Sequence, residues 1–450
     1  MADELSQLGL RAAAEGIAAG RFSSEDLTRA CLARIEKFDA EIEAWAYLDR
    51  EHALAQARDA DDQHRRGHEH GPLHGVPLGI KDIFDTKDMP TEDGTVLHAG
   101  RTPGYDAACV ANLRSAGAVL MGKTVTAELA TSTDSPKTRN PHNHERSPGG
   151  SSSGSAAAVA SYMVPGATGT QTAGSVIRPA AFCGVYGYKP TFGLISRHRV
   201  LGISRTLDTV GSFARSLGDV ALLAECMMGY DDRDPDMVNR ARPSVAAASD
   251  ETPPLPPRLA FVRTHVWDQA DGECQEALAE LKDALGDRIA DIDLGATFAT
   301  THDTFQTICA VESAASLVRE YDTGKDKLTP SVAALIEEGR SIAAVDYVGA
   351  KNRRADLDLL LDELFGDYDA VLTPAVTGVA PGLDSTGNST FNRPWSLMGV
   401  PALNLPLLAN EAGMPIGVQL VGARHHDVRL MRTARWLLNE LDIDQAGDHS

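Results

Sequence analysis

Basic residues are scarce in this chain. Lysine and arginine together number 42 against 63 aspartates and glutamates, a formal net charge of −21. That balance argues against a nucleic-acid backbone or an anionic membrane surface as partner. It also disfavours strongly anionic substrates unless a local basic pocket overrides the average. There is no C-x-x-C and no close cysteine spacing. The six cysteines (Cys31, Cys109, Cys183, Cys226, Cys274 and Cys309) are scattered, which reads as reduced thiols in a cytosol rather than a disulfide framework. No apolar run reaches the ~18 residues that a membrane-spanning helix needs. The opening Met1-Ala2-Asp3-Glu4 is acidic and lacks a signal pattern, so the expected location is cytoplasmic. What remains is ordinary globular composition, 43% apolar and 23% charged over 450 residues.

Apolar runs alternate with helical patterns along the chain. Ser23-Ser24-Glu25-Asp26 reads as a helix start, followed by Leu27, Cys31 and Ile35 at helical spacing. Residues 76–81 read as a buried strand ending at Lys81, residues 109–116 as a helix, and residues 118–121 as another buried strand. Residues 147–155 form a Ser/Gly loop, residues 156–162 an alanine-rich helix, and residues 166–175 a second small-residue loop. Residues 231–258 are the linker candidate. Strands are expected at 259–262, 369–374 and 416–421, and helices at 275–285 and 428–441, with Asp427 as a cap. The alternation indicates an α/β fold.

Three segments carry chemistry. In Pro148-Gly149-Gly150-Ser151-Ser152-Ser153-Gly154, small residues let the backbone turn sharply and a ligand approach closely. Gly169-Thr170-Gln171-Thr172-Ala173-Gly174-Ser175 gathers backbone N–H groups that can hold an oxyanion. Ser175 at its end is a weak nucleophile without a base. Lys81 follows an apolar run, and burial disfavours an ammonium ion, so it is a candidate base. Its bland alternative is a structural lysine paired with Asp82.

Together these segments resemble the amidase signature family. The resemblance rests on Gly75-Val76-Pro77-Leu78-Gly79-Ile80-Lys81-Asp82, Pro148-Gly149-Gly150-Ser151-Ser152 and Gly174-Ser175. It continues through Tyr188-Lys189-Pro190-Thr191, Gly399-Val400-Pro401-Ala402-Leu403 and Pro415-Ile416-Gly417-Val418-Gln419, and is weakest across 230–365. It implies a single domain over 1–450, a three-layer α/β/α unit with a mixed central sheet surrounded by helices. The signature core would lie at about 60–230 and 366–450, with a variable substrate-shaping region at about 231–365. It implies a Ser–cisSer–Lys triad of Ser175, Ser151 and Lys81, a cis Gly150–Ser151 peptide, an acyl-enzyme, and an oxyanion hole from Thr172, Ala173, Gly174 and Ser175. Candidate substrate-binding residues are Gly150, Thr131, Phe182 and Trp395, with Cys183 and the stretch near Phe391 as further pocket walls. The expected partner is a small-molecule amide, with a homodimer as candidate assembly and no cofactor or metal.

One loop departs from the family's commoner Gly-Thr-Asp-x-Gly-Gly-Ser-x-Arg-x-Pro. Gln171 replaces Asp, Ala173 replaces Gly, Ile177 stands where Arg is common, and Arg178 comes one place later. These changes bear on the loop's support and the substrate pocket rather than on the nucleophile. Two other readings stand beside amide hydrolysis. One is an amidotransferase-type subunit passing ammonia to a partner. The other is an α/β-hydrolase esterase, since Gly150-Ser151-Ser152-Ser153-Gly154 fits G-x-S-x-G with Ser152 as nucleophile and Asp369, His425 or His426 as partners. Residues 117–124 fit G-x-x-x-x-G-K-[ST] literally, but their apolar interior reads as a strand rather than a phosphate loop. His68, His70 and His74 read as a solvated loop rather than a metal site.

Overall fold

The computed structural model describes residues 2–68, 71–134 and 137–443. Eleven strands form one mixed sheet: β1 (Trp45–Leu48), β2 (Pro77–Lys81), β3 (Val119–Thr124), β4 (Gly166–Gln171), β5 (Tyr186–Lys189), β6 (Thr209–Ala214), β7 (Leu259–Val262), β8 (Ile289–Ile292), β9 (Ala370–Pro374), β10 (Ala402–Ala409) and β11 (Pro415–Val421). Their spatial order is β1-β3-β2-β4-β6-β5-β10-β11-β9-β7-β8. The pairs β2/β3, β2/β4, β7/β8 and β7/β9 are parallel and the rest antiparallel. Helices surround the sheet. Arg50–Arg65 packs on β3, Ser153–Ala160 on β4, and Ile177–Cys183 on β11, β10 and β5. Every residue of β2, β3, β4, β6 and β9 is buried, as expected where helices cover both faces of a sheet.

Ser23 opens the helix Ser24–Ile42 with a capping box: its hydroxyl accepts from the Asp26 N–H, and the Asp26 carboxylate accepts from the Ser23 N–H, both at 3.0 Å. The predicted small-residue loop at 166–175 is only partly a loop. Residues 166–171 are strand β4, hydrogen-bonded to β6 throughout. Small residues occur there because of close packing: a Cβ on Gly169 would lie 2.4 Å from the Phe213 ring and 3.1 Å from Ser152 Oγ. The alanine-rich helix begins at Ser153 rather than 156. Residues 231–258 are not a free linker. Asp234 and Asp236 bind Arg197, and the short helix Val245–Ala248 buries Val245 and Ala248. Asp427 is the first residue of its helix, Asp427–Glu440, and not its cap. Its carboxylate faces inward, accepting from Tyr188 Oη at 2.6 Å, Thr191 N at 2.8 Å and Thr191 Oγ1 at 2.6 Å. No helix among the described residues is long and apolar enough to cross a membrane.

Candidate active site

Lys81 is the last residue of β2, next to β4 in the sheet. Its backbone N–H donates to Thr168 Oγ1 at 3.0 Å. Its Nζ donates to Ser151 Oγ at 2.9 Å and to Thr170 Oγ1 at 2.8 Å. The side chain is fully buried. Burial pushes the ammonium down to about 7, against a weaker opposing pull from Asp208. The neighbouring Asp82 pairs instead with Lys123 at 3.0 Å. The paired structural lysine is therefore Lys123, and Lys81 faces two hydroxyls.

Ser151 sits in the turn before the helix Ser153–Ala160, and the Gly150–Ser151 peptide is cis. The helix start is pressed against backbone: a Cβ on Gly154 would lie 2.2 Å from Ala44 O and 2.4 Å from Val125 N. Ser152, the serine of the rival hydrolase motif, is fully buried and bonds β4, with Thr170 N and O each 3.4 Å from its Oγ. Asp369 meanwhile accepts from Arg258 N and pairs with Arg429. The strand–Ser–helix elbow of that motif is absent, because residues 141–150 form turns rather than a strand.

Ser175 lies in the turn joining β4 to the helix Ile177–Cys183. Gln171 holds this turn from within. Its Oε1 accepts from Val176 N and Ile177 N, each at 2.9 Å. Its Nε2 donates to Ser396 Oγ at 3.0 Å, and Ser396 Oγ donates to Ala173 O at 2.7 Å. An aspartate could accept from the same two N–H groups but could not donate to Ser396. The change from the common run thus exchanges a charged support for a neutral one with an added tether. Thr172 Oγ1 donates to Asp208 at 2.6 Å. Among the described residues, no protein acceptor takes the N–H groups of Ala173, Gly174 or Ser175.

A cavity of about 320 Å³ collects Ser151, Ser175, Thr172, Ala173 and Thr131. Thr131 Oγ1 is buried with no protein partner, a free polar atom at the cavity wall. Leu129 and Ala130 beside it hold positive φ of 46° and 53°, a left-handed backbone that non-glycine residues adopt at a cost. Three predicted pocket residues are placed elsewhere. Phe182 is 1% exposed and lies beneath Gly149 and Gly387. Trp395 is fully buried against Phe298, with ring centroids 5.5 Å apart. Gly150 touches the site through its carbonyl, which accepts from Arg178. They shape the scaffold behind the cavity and do not line it. The lining contains residues that sequence reasoning missed: Phe305, Gln306 and Cys309 from the helix Thr301–Ser316, Glu338 from Pro330–Ser341, and Arg393. No motif marks them, since a single inward residue on a helix has no sequence signature. Arg178 also lines the cavity, and its displacement within the motif was the one available signal.

Other sequence candidates fall outside this site. Lys123 of the 117–124 run is buried in β3 and donates to Thr91 Oγ1 and Pro90 O. His74 is buried with Nε2 3.0 Å from Ala60 O, and His70 lies outside the described residues. No group of three or more metal-ligating side chains occurs among the described residues.

The Amidase family profile matches residues 26–431. A subunit of glutamyl-tRNA(Gln) amidotransferase from Anaeromyxobacter sp. is 34% identical, over 98% of this chain and 97% of that one. A putative amidase, AmiD, of Mycobacterium bovis is 33% identical, over 96% and 93%. The solved structure of a peptide amidase from Stenotrophomonas maltophilia superposes with a TM-score of 0.83 at 29% identity, covering 96% of each chain. The likeness spans both halves of the sheet and the segments that bring Lys81, Ser151 and Ser175 together, so the chain belongs to the amidase signature family and is a hydrolase of carbon–nitrogen bonds.

Proposed function

We propose that this chain hydrolyses a small-molecule amide through a Ser175–Ser151–Lys81 relay. The observation that carries the reading is Lys81: a fully buried amine, brought to about 7, bonded to Ser151 Oγ at 2.9 Å and unpaired with any carboxylate among the described residues. As the free amine, Lys81 takes the Ser151 proton while Ser151 takes that of Ser175. The Ser175 oxygen then bonds to the amide carbon. The carbonyl oxygen becomes an oxyanion, held by the N–H groups of residues 172–175. Return of the proton through Ser151 to the leaving nitrogen breaks the C–N bond and leaves an ester on Ser175. Water, deprotonated by the same relay, releases the acid and restores the serine. Thr170 Oγ1 fixes the Lys81 amine toward Ser151, and Thr131 Oγ1 is a candidate substrate contact.

A panel of simple amides, ureas and esters tests this, with Ser175→Ala as blank. Turnover by the parent and its loss by roughly 10³-fold or more in the variant are expected. Activity surviving in Ser175→Ala removes the assignment. The likeness to an amidotransferase subunit supports a second reading, in which ammonia released at this site passes to a partner. Turnover of amides by the isolated chain favours the free-standing enzyme, and activity that appears only with an added partner favours the other.

A further inference from the structure

The cavity around Ser175 is positively charged although the molecule is strongly negative. Arg178 and Arg393 both line it, and among the described residues the only carboxylate in the lining is Glu338. Glu338 is exposed at the rim, and both its oxygens accept from Gln306 Nε2, at 3.0 and 2.9 Å. Neither arginine forms an ion pair among the described residues. The two are occupied differently. Arg178 Nε and Nη2 donate to Gly150 O at 3.2 and 2.7 Å, and Nη1 donates to Gly387 O. Its fork is committed to holding the turn before Ser151. Arg393 makes a single side-chain hydrogen bond, from Nε to Ser389 Oγ at 3.3 Å. Its carbon Cζ lies 5.6 Å from the Phe305 ring centroid. Both terminal NH₂ groups meet no protein acceptor among the described residues, leaving four N–H donors in a fixed planar fork. Burial opposes the charge on each arginine; Cys309 and Glu338 offset only part of it at Arg393, and the charge of Arg393 further disfavours that of Arg178. An anion between or beside them relieves both effects.

The position of Arg393 relative to the chemistry follows from packing. A Cβ on Gly174 would lie 2.4 Å from Asn392 Oδ1 and 2.9 Å from Ser389 Cβ. The segment that carries Arg393 is therefore seated on the turn that carries Ser175. At about 320 Å³, the cavity falls at the small end of ligand sites, which run from roughly 300 to 1,000 Å³.

We propose that the substrate is a short amide bearing a carboxylate on its acyl side, and that the free fork of Arg393 receives this carboxylate while Ser175 attacks the amide. Arg178 adds its charge without giving up its hold on Gly150. This rests on Ser175 being the nucleophile. A guanidinium fork matches a carboxylate with two parallel bonds, where an ammonium gives only a point charge.

A matched pair of substrates tests the proposal: the half-amide of a four-carbon dicarboxylic acid, and the same chain ending in a methyl ketone. The parent is expected to favour the carboxylate member in kcat/KM by about tenfold or more, and Arg393→Gln to shrink that preference by about tenfold, chiefly through KM. Arg393→Lys is expected to recover part of it. A parent that handles the neutral member equally well overturns the proposal, as does an Arg393→Gln variant in which both members fall by the same factor. Calorimetry with succinate, on the parent and both Arg393 variants, gives a readout independent of turnover. Binding that weakens about tenfold in Arg393→Gln and is partly regained in Arg393→Lys supports the carboxylate site. No binding by the parent, or binding indifferent to Arg393, overturns it. If no amide of a broad panel is hydrolysed while succinate still binds through Arg393, the reading of Ser175 fails and the carboxylate site stands.

Discussion

Lys81 and Lys123 are two buried lysines with opposite environments. Lys123 lies 3.0 Å from the Asp82 carboxylate, whereas Lys81 meets only the hydroxyls of Ser151 and Thr170. The sign of the pH dependence follows. With its proton lost near pH 7, the Lys81 amine is available as a base above that pH. The rate constant kcat/KM should therefore fall about tenfold per unit as pH drops below about 7, and level off above it. A pH–rate profile checks this, and a flat profile between pH 5 and 8 excludes Lys81 as the base. Stability moves in the same direction. The folded value lies below the unfolded one, so the unfolded chain holds more protons between about 7 and the ordinary lysine value of 10.5. The Lys81 contribution therefore stabilises the fold progressively as pH rises through that window, and is most unfavourable below it. Lys81→Met, which removes a buried amine, should melt no lower than the parent at pH 7 while losing turnover by roughly 10³-fold or more. A large fall in melting temperature would instead assign Lys81 a structural role. At this scale Lys81, Ser151 and Ser175 are singled out in the sequence only by the resemblance of their three segments taken together, each being weak alone, and the fold places Lys81 Nζ 2.9 Å from Ser151 Oγ with Ser175 in the same cavity. Arg393 is not singled out, because a single arginine at a helix start carries no pattern.

The element that most sharpens the sequence reading is the unit from β4 through the Ser175 turn into the helix Ile177–Cys183. Gln171 ends the strand and caps the helix with one side chain, accepting from Val176 N and Ile177 N. Gln171→Ala leaves those two buried N–H groups without an acceptor, at a cost of about 1–3 kcal/mol. Denaturant melts should show that loss, together with a fall in kcat larger than any change in KM, because the N–H groups of 173–175 lose their frame. A variant with stability reduced but kcat intact would separate the cap from the chemistry. Gly154 makes a second point. In the sequence it completes a G-x-S-x-G pattern, yet in the fold it is required by the backbone of Ala44 and Val125, 2.2 and 2.4 Å from where a Cβ would stand. Gly154→Ala should destabilise by about 1–3 kcal/mol or more, since backbone cannot swing aside, and a calorimetric melt equal to the parent's would contradict that packing. The sequence predicts a loop where β4 lies because Gly-Ala-Thr-Gly-Thr-Gln has no apolar alternation. A strand whose every residue is buried, with Phe213 and Ser152 both pressed against Gly169, needs small residues rather than alternating ones.

Across the whole molecule, one sheet carries both the half that bears Lys81 and the half beyond residue 231, joined where β5 pairs with β10. Composition and strand–helix alternation made the α/β class legible. The strand order was not legible, because pairings such as β5 with β10 join residues more than 200 apart in the chain. Nor was the strap at 231–258, whose polar, proline-bearing composition hides its ion pairs to Arg197. All six cysteines are buried, and burial raises the thiols, that of Cys31 to about 12. Native protein should therefore leave at least five of the six thiols untitrated by a soluble disulfide reagent, only Cys309 bordering the Ser175 cavity, and all six should titrate after denaturation, while rapid native reaction at any of the other five would contradict the packing. The central claim, that Ser175 becomes esterified with Lys81 driving the step, is tested most directly by trapping. A slowly deacylating ester or amide is added, the reaction is quenched in acid, and the acyl group is located by peptide mass spectrometry in the parent, Ser175→Ala and Lys81→Ala proteins. The expected result is an adduct on Ser175 in the parent, none in Ser175→Ala, and a rate of appearance cut by roughly 10³-fold in Lys81→Ala. An adduct on Ser152, or one that forms on Ser175 just as fast without Lys81, would contradict it.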